Sequence, residues 1–223
     1  MKELLYHLDR YGHHYNTKEL GLFFYALVKM KKWNYFVDLG TAYGCTAFAA
    51  ATAMKENAKG KVLTIDNGLS IPVKDYGQFL LDWEKRLELK NIDFIIDNIN
   101  FDKLEAQMKV DCVFSDIYRD VPYLNNVIEW TIRNANDCCD LFIDNLGNPN
   151  HIVHSNVTFY YMKDLINKLN THKIPKFLKK HKEYIETHTF EMTSIRRSMH
   201  NTNQAETTWI KMRPTEMYQQ VIL

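Results

Sequence analysis

The segment Val37-Asp38-Leu39-Gly40-Thr41-Ala42-Tyr43-Gly44-Cys45-Thr46 decides how the rest of the chain is read. It leaves a short apolar run, Tyr35–Leu39, and enters an alanine-rich stretch, Cys45–Glu56, so it reads as the turn between a buried strand and a helix. In open parallel sheets such turns lie at the carboxyl edge, where ligands bind. Gly40 and Gly44 let the backbone turn tightly and approach a ligand closely. The spacing is G-x-x-x-G. It is neither the G-x-G-x-x-G of dinucleotide binders nor a phosphate-binding loop, because no Gly-Lys-Ser/Thr follows. Asp38 points the same way, since a carboxylate here repels a pyrophosphate and welcomes a cationic group.

Outward from this turn, strands and helices alternate. Upstream, Thr17 caps a helix over 18–30 with an apolar stripe of Leu20, Phe23, Phe24 and Leu27. Downstream, strands are expected over 62–65, 92–96, 111–115 and 141–143. Helices are expected over 78–90, 101–108, 122–135 and 157–169 between and after them. This alternation implies βαβ units and a parallel sheet. The end differs: 184–193 and 207–212 are both strand-like, and 194–206 between them has no helical pattern. Two strands joined without a crossover helix pair antiparallel. The fold class is therefore α/β: a doubly wound, mostly parallel seven-stranded Rossmann-like sheet with an antiparallel C-terminal strand.

The chain has 223 residues, of which 46% are hydrophobic and 25% charged, a globular composition suited to one domain. We expect a single domain over 1–223, with a helical substrate or lid segment over 1–33 and a Rossmann-like core over 34–223. Lys+Arg 28 against Asp+Glu 27 leaves a formal charge of +1, so no basic field is available for a polyanion. The opening MKELLYHLDR lacks the apolar core of a signal peptide, and no run spans a bilayer. Cys45, Cys112, Cys138 and Cys139 show no CxxC spacing and read as small buried hydrophobes. A reduced, cytoplasmic protein is expected, with no membrane or nucleic-acid partner.

Further acids fall at the same edge. Asp66 and Asn67 follow the second strand, where a carboxylate accepts bonds from ribose hydroxyls. Asp97 and Asn98 follow the third, placed to reach an adenine edge. Asp38-Leu39-Gly40-x-x-x-Gly44 with Asp66 resembles the class I S-adenosylmethionine-dependent methyltransferases, from Tyr35 onward. The resemblance implies S-adenosyl-L-methionine as cofactor, with its methionine end at Asp38 and its ribose at Asp66. It also implies a cofactor-binding set of Asp38, Gly40, Thr41, Ala42, Tyr43, Gly44, Asp66, Asn67, Asp97, Asn98 and Asp116. The plainer reading leaves the glycines as a simple turn and the acids as solvated loop residues.

The fourth expected strand ends Ser115-Asp116-Ile117-Tyr118-Arg119 and the fifth ends Ile143-Asp144-Asn145. Asp116, Asp144 and Asn145 offer two carboxylates and an amide oxygen, hard ligands suited to Mg²⁺ or Ca²⁺. This set, with 144 − 116 = 28, resembles the metal-dependent O-methyltransferases of the catechol and caffeoyl-CoA type. That resemblance implies Mg²⁺ at these three residues, and Asp116 and Arg119 as the catalytic pair. The family pattern is D-x-x-K, and Arg119 stands where the Lys belongs. A guanidinium stays charged, so Arg119 orients or stabilises an oxyanion rather than taking a proton.

His151 and His154 are candidate bases by position, as are His13 and His14 near the N-terminus, although surface or capping roles are commoner. Helix capping or loop solvation is likewise the plain reading of Asp116 and Asp144. Acceptor selection is expected from the N-terminal helices, the 68–77 loop and the 194–206 connection; Tyr11, Tyr15 and Tyr76 there suit stacking on a planar substrate, although solvent-shielding packing is the commoner use of such aromatics. The basic run 173–182, extended by Arg196 and Arg197, reads as a solvated face. The expected function is methyl transfer to an oxygen of a small molecule with Mg²⁺ assistance, in a possible homodimer. The alternatives are a metal-independent N- or O-methyltransferase of the same fold, or a protein that binds S-adenosylmethionine without transfer chemistry.

Overall fold

The computed structural model describes residues 1–13, 17–117, 120–144, 146, 155–196 and 206–219. Contacts divide the chain into two compact units, Met1–Leu104 and Glu105–Leu223.

The first unit opens with helices α1 (Lys2–Tyr11) and α2 (Thr17–Lys31). Strand β1 (Tyr35–Leu39), helix α3 (Cys45–Glu56), strand β2 (Lys61–Ile65), helix α4 (Tyr76–Arg86) and strand β3 (Ile92–Ile95) follow. The strands pair in parallel, Val37 with Leu63 and Thr64 with Phe94. Every residue of β1 is buried. Helix α3 is buried from Cys45 through Met54, which explains its alanine content: small side chains let neighbours approach it on all sides. Asp75 caps α4 by accepting from the Gln78 amide at 2.9 Å.

The second unit holds β4 (Val110–Ser115), α5 (Val121–Asn134), β5 (Ala135–Asp144) and α6 (Ser155–Asn170). A 3-10 turn (Lys176–His181), α7 (Lys182–Thr187), β6 (His188–Arg196), β7 (Glu206–Pro214) and α8 (Thr215–Gln219) complete it. β4 and β5 are parallel, whereas β7 runs antiparallel to both β5 and β6. The strand order is β3-β2-β1-β4-β5-β7-β6, the seven-stranded mixed sheet expected from the sequence. β5 is longer than expected: it begins at Ala135, and its buried Asp140 is paired with Arg213 at 2.5 Å.

Two expected elements are corrected. Residues 101–108 form no helix. Asn100 instead closes one turn, its carbonyl accepting from Lys103 and Leu104 and its side chain from Asp102, so buried Phe101 and Leu104 sit three apart without a helix continuing. Residues 184–187 belong to α7 rather than to a strand, and Tyr184 stacks on His188 at 3.8 Å, an i, i+4 pair. The basic run is not wholly solvated: Leu178 is buried, and Lys180 and His181 both reach Glu129, at 2.8 and 2.7 Å. No described helix is long and apolar enough to cross a membrane.

Candidate functional site

In the first unit the turns after β1, β2 and β3 are tied to one another by their own side chains. Asp38, the fourth residue of β1, is fully buried. A buried carboxylate needs donors, and two threonine hydroxyls supply them: Thr64 donates to Oδ2 at 2.8 Å and Thr46 to Oδ1 at 3.2 Å. Thr41 and Thr64 share a further hydroxyl contact at 2.5 Å. Thr46 and Thr64 escaped the sequence reading, although both flank motif residues that it singled out.

The glycine loop is sharply bent. Gly40 has φ 103° and Gly44 φ 78°, and between them Ala42 also takes positive φ, 45°. For an L-residue this conformation costs about 1–2 kcal/mol, so it persists only where the surroundings impose it. Asp66 does so, its Oδ2 accepting from the Ala42 amide at 2.9 Å. Its other oxygen accepts from the Gly68 amide at 2.7 Å. Tyr76 donates its hydroxyl to the Ala42 carbonyl at 2.8 Å. Burial pushes the Tyr76 phenol up, with the Asp66 charge adding to it, so it remains a donor. A Cβ on Gly44 would lie 2.4 Å from the Phe48 ring, and one on Gly68 2.4 Å from the Tyr76 ring. Both glycines are therefore required by packing as well as by backbone.

Asn67 donates to Asn98 Oδ1 at 2.8 Å, joining the second turn to the third. Asp97 accepts from the Asn98 amide at 2.7 Å. Thus Asp38, Gly40, Thr41, Ala42, Tyr43, Gly44, Asp66, Asn67, Asp97 and Asn98 come together along one edge. Asn67, Asp97 and Asn98 are exposed there, while Asp66 is half-buried. The set suits a cofactor with a cationic head and a polyol: buried negative charge at Asp38, close-approach backbone at Gly40 and Gly44, and acceptors at Asp66 and Asp97. Cys45 is buried, which raises its thiol to about 11, so it is a space-filler and not a nucleophile.

Tyr11 stacks on Tyr43 with centroids 5.1 Å apart, and Tyr76 is buried. These two tyrosines brace the loop, the packing role that is the commoner use of such aromatics. His7 was not singled out from the sequence at all. It is fully buried, and its Nε2 lies 2.8 Å from the Tyr43 carbonyl. A carbonyl only accepts, so Nε2 carries the proton. Burial lowers the imidazole to about 4, the bond to Tyr43 opposes this and the Arg86 charge adds to it.

In the second unit Ser115 pairs with Ile143 in parallel register; Asp116 follows the end of β4, and Asp144 is the last residue of β5. Asp116 is half-buried, and Asp144 is 1% exposed. Thr207 of β7 donates to Asp144 Oδ1 at 2.6 Å. Among the described residues no group of three or more His, Cys, Asp or Glu side chains converges as a metal site. Arg119, Asn145, His14, Tyr15, His151 and His154 lie outside the described residues, as do 197–205 of the 194–206 connection. His13 is exposed just beyond α1.

The strand order and the motif-bearing edge together define a class I methyltransferase fold. Solved structures agree. An O-methyltransferase from Bacillus cereus in complex with SAH matches at a TM-score of 0.63 with 12% identity, over 94% of this chain and 90% of that one. A methyltransferase from Geobacter sulfurreducens matches at 0.61 with 15% identity, over 94% and 88%. The O-methyltransferase TomG from Streptomyces achromogenes, in complex with SAM, matches at 0.59 with 10% identity, over 95% and 89%. No protein-family model matches the chain, and no curated protein matches it in sequence.

Proposed function

We propose that the protein is an S-adenosylmethionine-dependent O-methyltransferase acting on a small molecule. The observation that carries this reading is the edge of the first unit: a buried carboxylate, Asp38, beneath a glycine loop whose bent backbone is held by Asp66. Similarity in fold to O-methyltransferases in complex with SAM and SAH supports it. Fold alone would not, because one fold hosts many chemistries. When bound, S-adenosylmethionine supplies an electrophilic methyl carbon. The chain's tasks are to bind, to align and to exclude water. Asp38 and the Gly40–Gly44 backbone would hold the methionine end, and Asp66 with Asn67 would bind the ribose. Asp97 and Asn98 would bind the base.

The acceptor side is assigned to the second unit. Asp116 and Asp144 have the charge and hardness for Mg²⁺, and Asn145 would complete a three-residue set. A divalent ion held there would supply acidification of a bound hydroxyl, as it does for water. Arg119, always cationic, orients or stabilises the acceptor oxyanion. Metal-independent transfer is the second reading, favoured by the burial of Asp144 behind Thr207.

Calorimetric titration with S-adenosylmethionine, NAD and ATP tests the cofactor assignment. Binding of the first alone is expected, and binding of NAD or ATP in its place would contradict it. A radiolabelled methyl assay over pools of hydroxylated acceptors, with and without chelator, then separates metal-dependent from metal-independent transfer. Cofactor binding with no transfer under either condition would leave a binding protein.

A further inference from the structure

The glycine loop is gripped from behind by two helices that contribute nothing to the motif itself. Successive carbonyls, Ala42 and Tyr43, accept from Tyr76 at the start of α4 and from His7 in α1, each at 2.8 Å. In a trans peptide the C=O and the following N–H point in opposite directions. Holding the Ala42 carbonyl therefore orients the Tyr43 N–H, and holding the Tyr43 carbonyl orients the Gly44 N–H, which donates to Thr41 O at 2.6 Å.

Both donors are packed against neighbours. The Tyr76 ring is packed against Gly68, where any Cβ would collide with it. The His7 ring stands edge-on to Phe48 and Trp83, with centroids at 5.1 and 4.3 Å. His7 also has a cost: its Nδ1 is buried with no hydrogen-bond partner among the described residues. An apolar side chain would fill that aromatic cage without leaving a nitrogen unpaired. The bond from Nε2 to the loop is the property that an apolar residue lacks.

We propose that His7 and Tyr76 are positioning residues that set the glycine loop in its ligand-ready shape before ligand arrives, making α1 a working part of the cofactor site. The inference rests on reading that loop as the S-adenosylmethionine site. The loop then enters binding already ordered, and little affinity is spent on fixing it. Neither side chain needs to touch the cofactor.

The test uses the full chain with His7→Gln, His7→Phe and Tyr76→Phe. Hydrogen exchange without ligand comes first, because it does not depend on the cofactor's identity. Loop amides of 40–46 are expected to exchange about tenfold faster in Tyr76→Phe and His7→Phe, with β2 amides unchanged. His7→Gln, which retains an N–H donor, is expected to restore protection. Calorimetry with S-adenosylmethionine then reads affinity on folded protein, where the two phenylalanine variants weaken by about tenfold and His7→Gln stays within about threefold of wild type. Should His7→Phe fail to fold, Tyr76→Phe and His7→Gln still decide. Wild-type loop exchange and affinity in Tyr76→Phe, or failure of His7→Gln to keep both, would overturn the proposal. No binding by the wild type would instead remove the cofactor reading, while exchange would still report on the clamp.

Discussion

The edges of the two units carry the same residue type at the ends of their strands and satisfy it with different donors. In the first unit the carboxylates at these positions are committed to the protein's own donors. Asp38 takes two threonine hydroxyls, and Asp66 takes two backbone amides. In the second unit Asp144, at the end of β5, accepts from a single threonine hydroxyl, that of Thr207, and Asp116, which follows β4, is half-buried. The lesson is that an acid after a strand marks an edge without saying whether its charge shapes backbone or meets ligand. Asp66 does the first and is proposed to do the second through its remaining lone pairs. Replacing residues that shape the first edge should therefore change stability even without ligand.

Gly44→Ala should be the most damaging change. It combines a positive φ with a Cβ 2.4 Å from the Phe48 ring, and about 3–5 kcal/mol of stability should be lost. Urea unfolding measures this, and a loss below about 1 kcal/mol would show the first edge to be looser than described.

Asp66→Asn comes next. An amide has one acceptor oxygen where the carboxylate offers two, so its NH₂ group confronts either the Ala42 or the Gly68 amide. About 2 kcal/mol should be lost even without ligand, as expected of a loop-shaping residue. Unchanged stability with weakened cofactor binding would make Asp66 a ligand contact only.

The buried imidazole gives a pH signature of similar size. His7 sits at about 4 when folded against an ordinary value of 6.5, so the unfolded chain binds its proton more readily. Its contribution is complete above about pH 6.5, falls as pH drops towards 4 and then levels off. Between pH 7.5 and 5 the loss should be about 2 kcal/mol. Thermal melts of wild type and His7→Gln isolate this slope, and parallel curves would place the titration elsewhere.

The smallest effect should be a gain. Ala42→Gly relieves the left-handed backbone at φ 45° and should stabilise by about 0.5–1 kcal/mol. Destabilisation would mean that the Asp66 and Tyr76 bonds fail to keep a freer residue in place.

Much of the frame was legible because its signals are local. The Tyr35–Leu39 strand and the Cys45–Glu56 helix lie where apolar run and alanine content put them. The antiparallel pairing of β6 and β7 followed from the lack of a helical pattern in the sequence between them. Residues 101–108 misled because one turn already spaces Phe101 and Leu104 like a helix face, and an Asn-closed turn leaves the same pattern. The beginning of α7 misled because Tyr184 and Ile185 suit a strand equally well, and the Tyr184–His188 stack becomes visible only once the chain is folded. At the site, the glycines and acids announced themselves by spacing. His7, Thr46, Thr64 and Tyr76 did not, because their roles depend on which carbonyl or carboxylate the fold places opposite them.

The most direct test of the account sets one acid from each edge against the other. Asp38→Asn and Asp144→Asn are compared by calorimetry with S-adenosylmethionine in the absence of metal, on protein shown to be folded. The account predicts that Asp38→Asn weakens binding by about tenfold or more, through loss of the buried negative charge, while Asp144→Asn binds as wild type does. Wild-type affinity in Asp38→Asn would contradict the assignment of the cofactor to the first unit's edge.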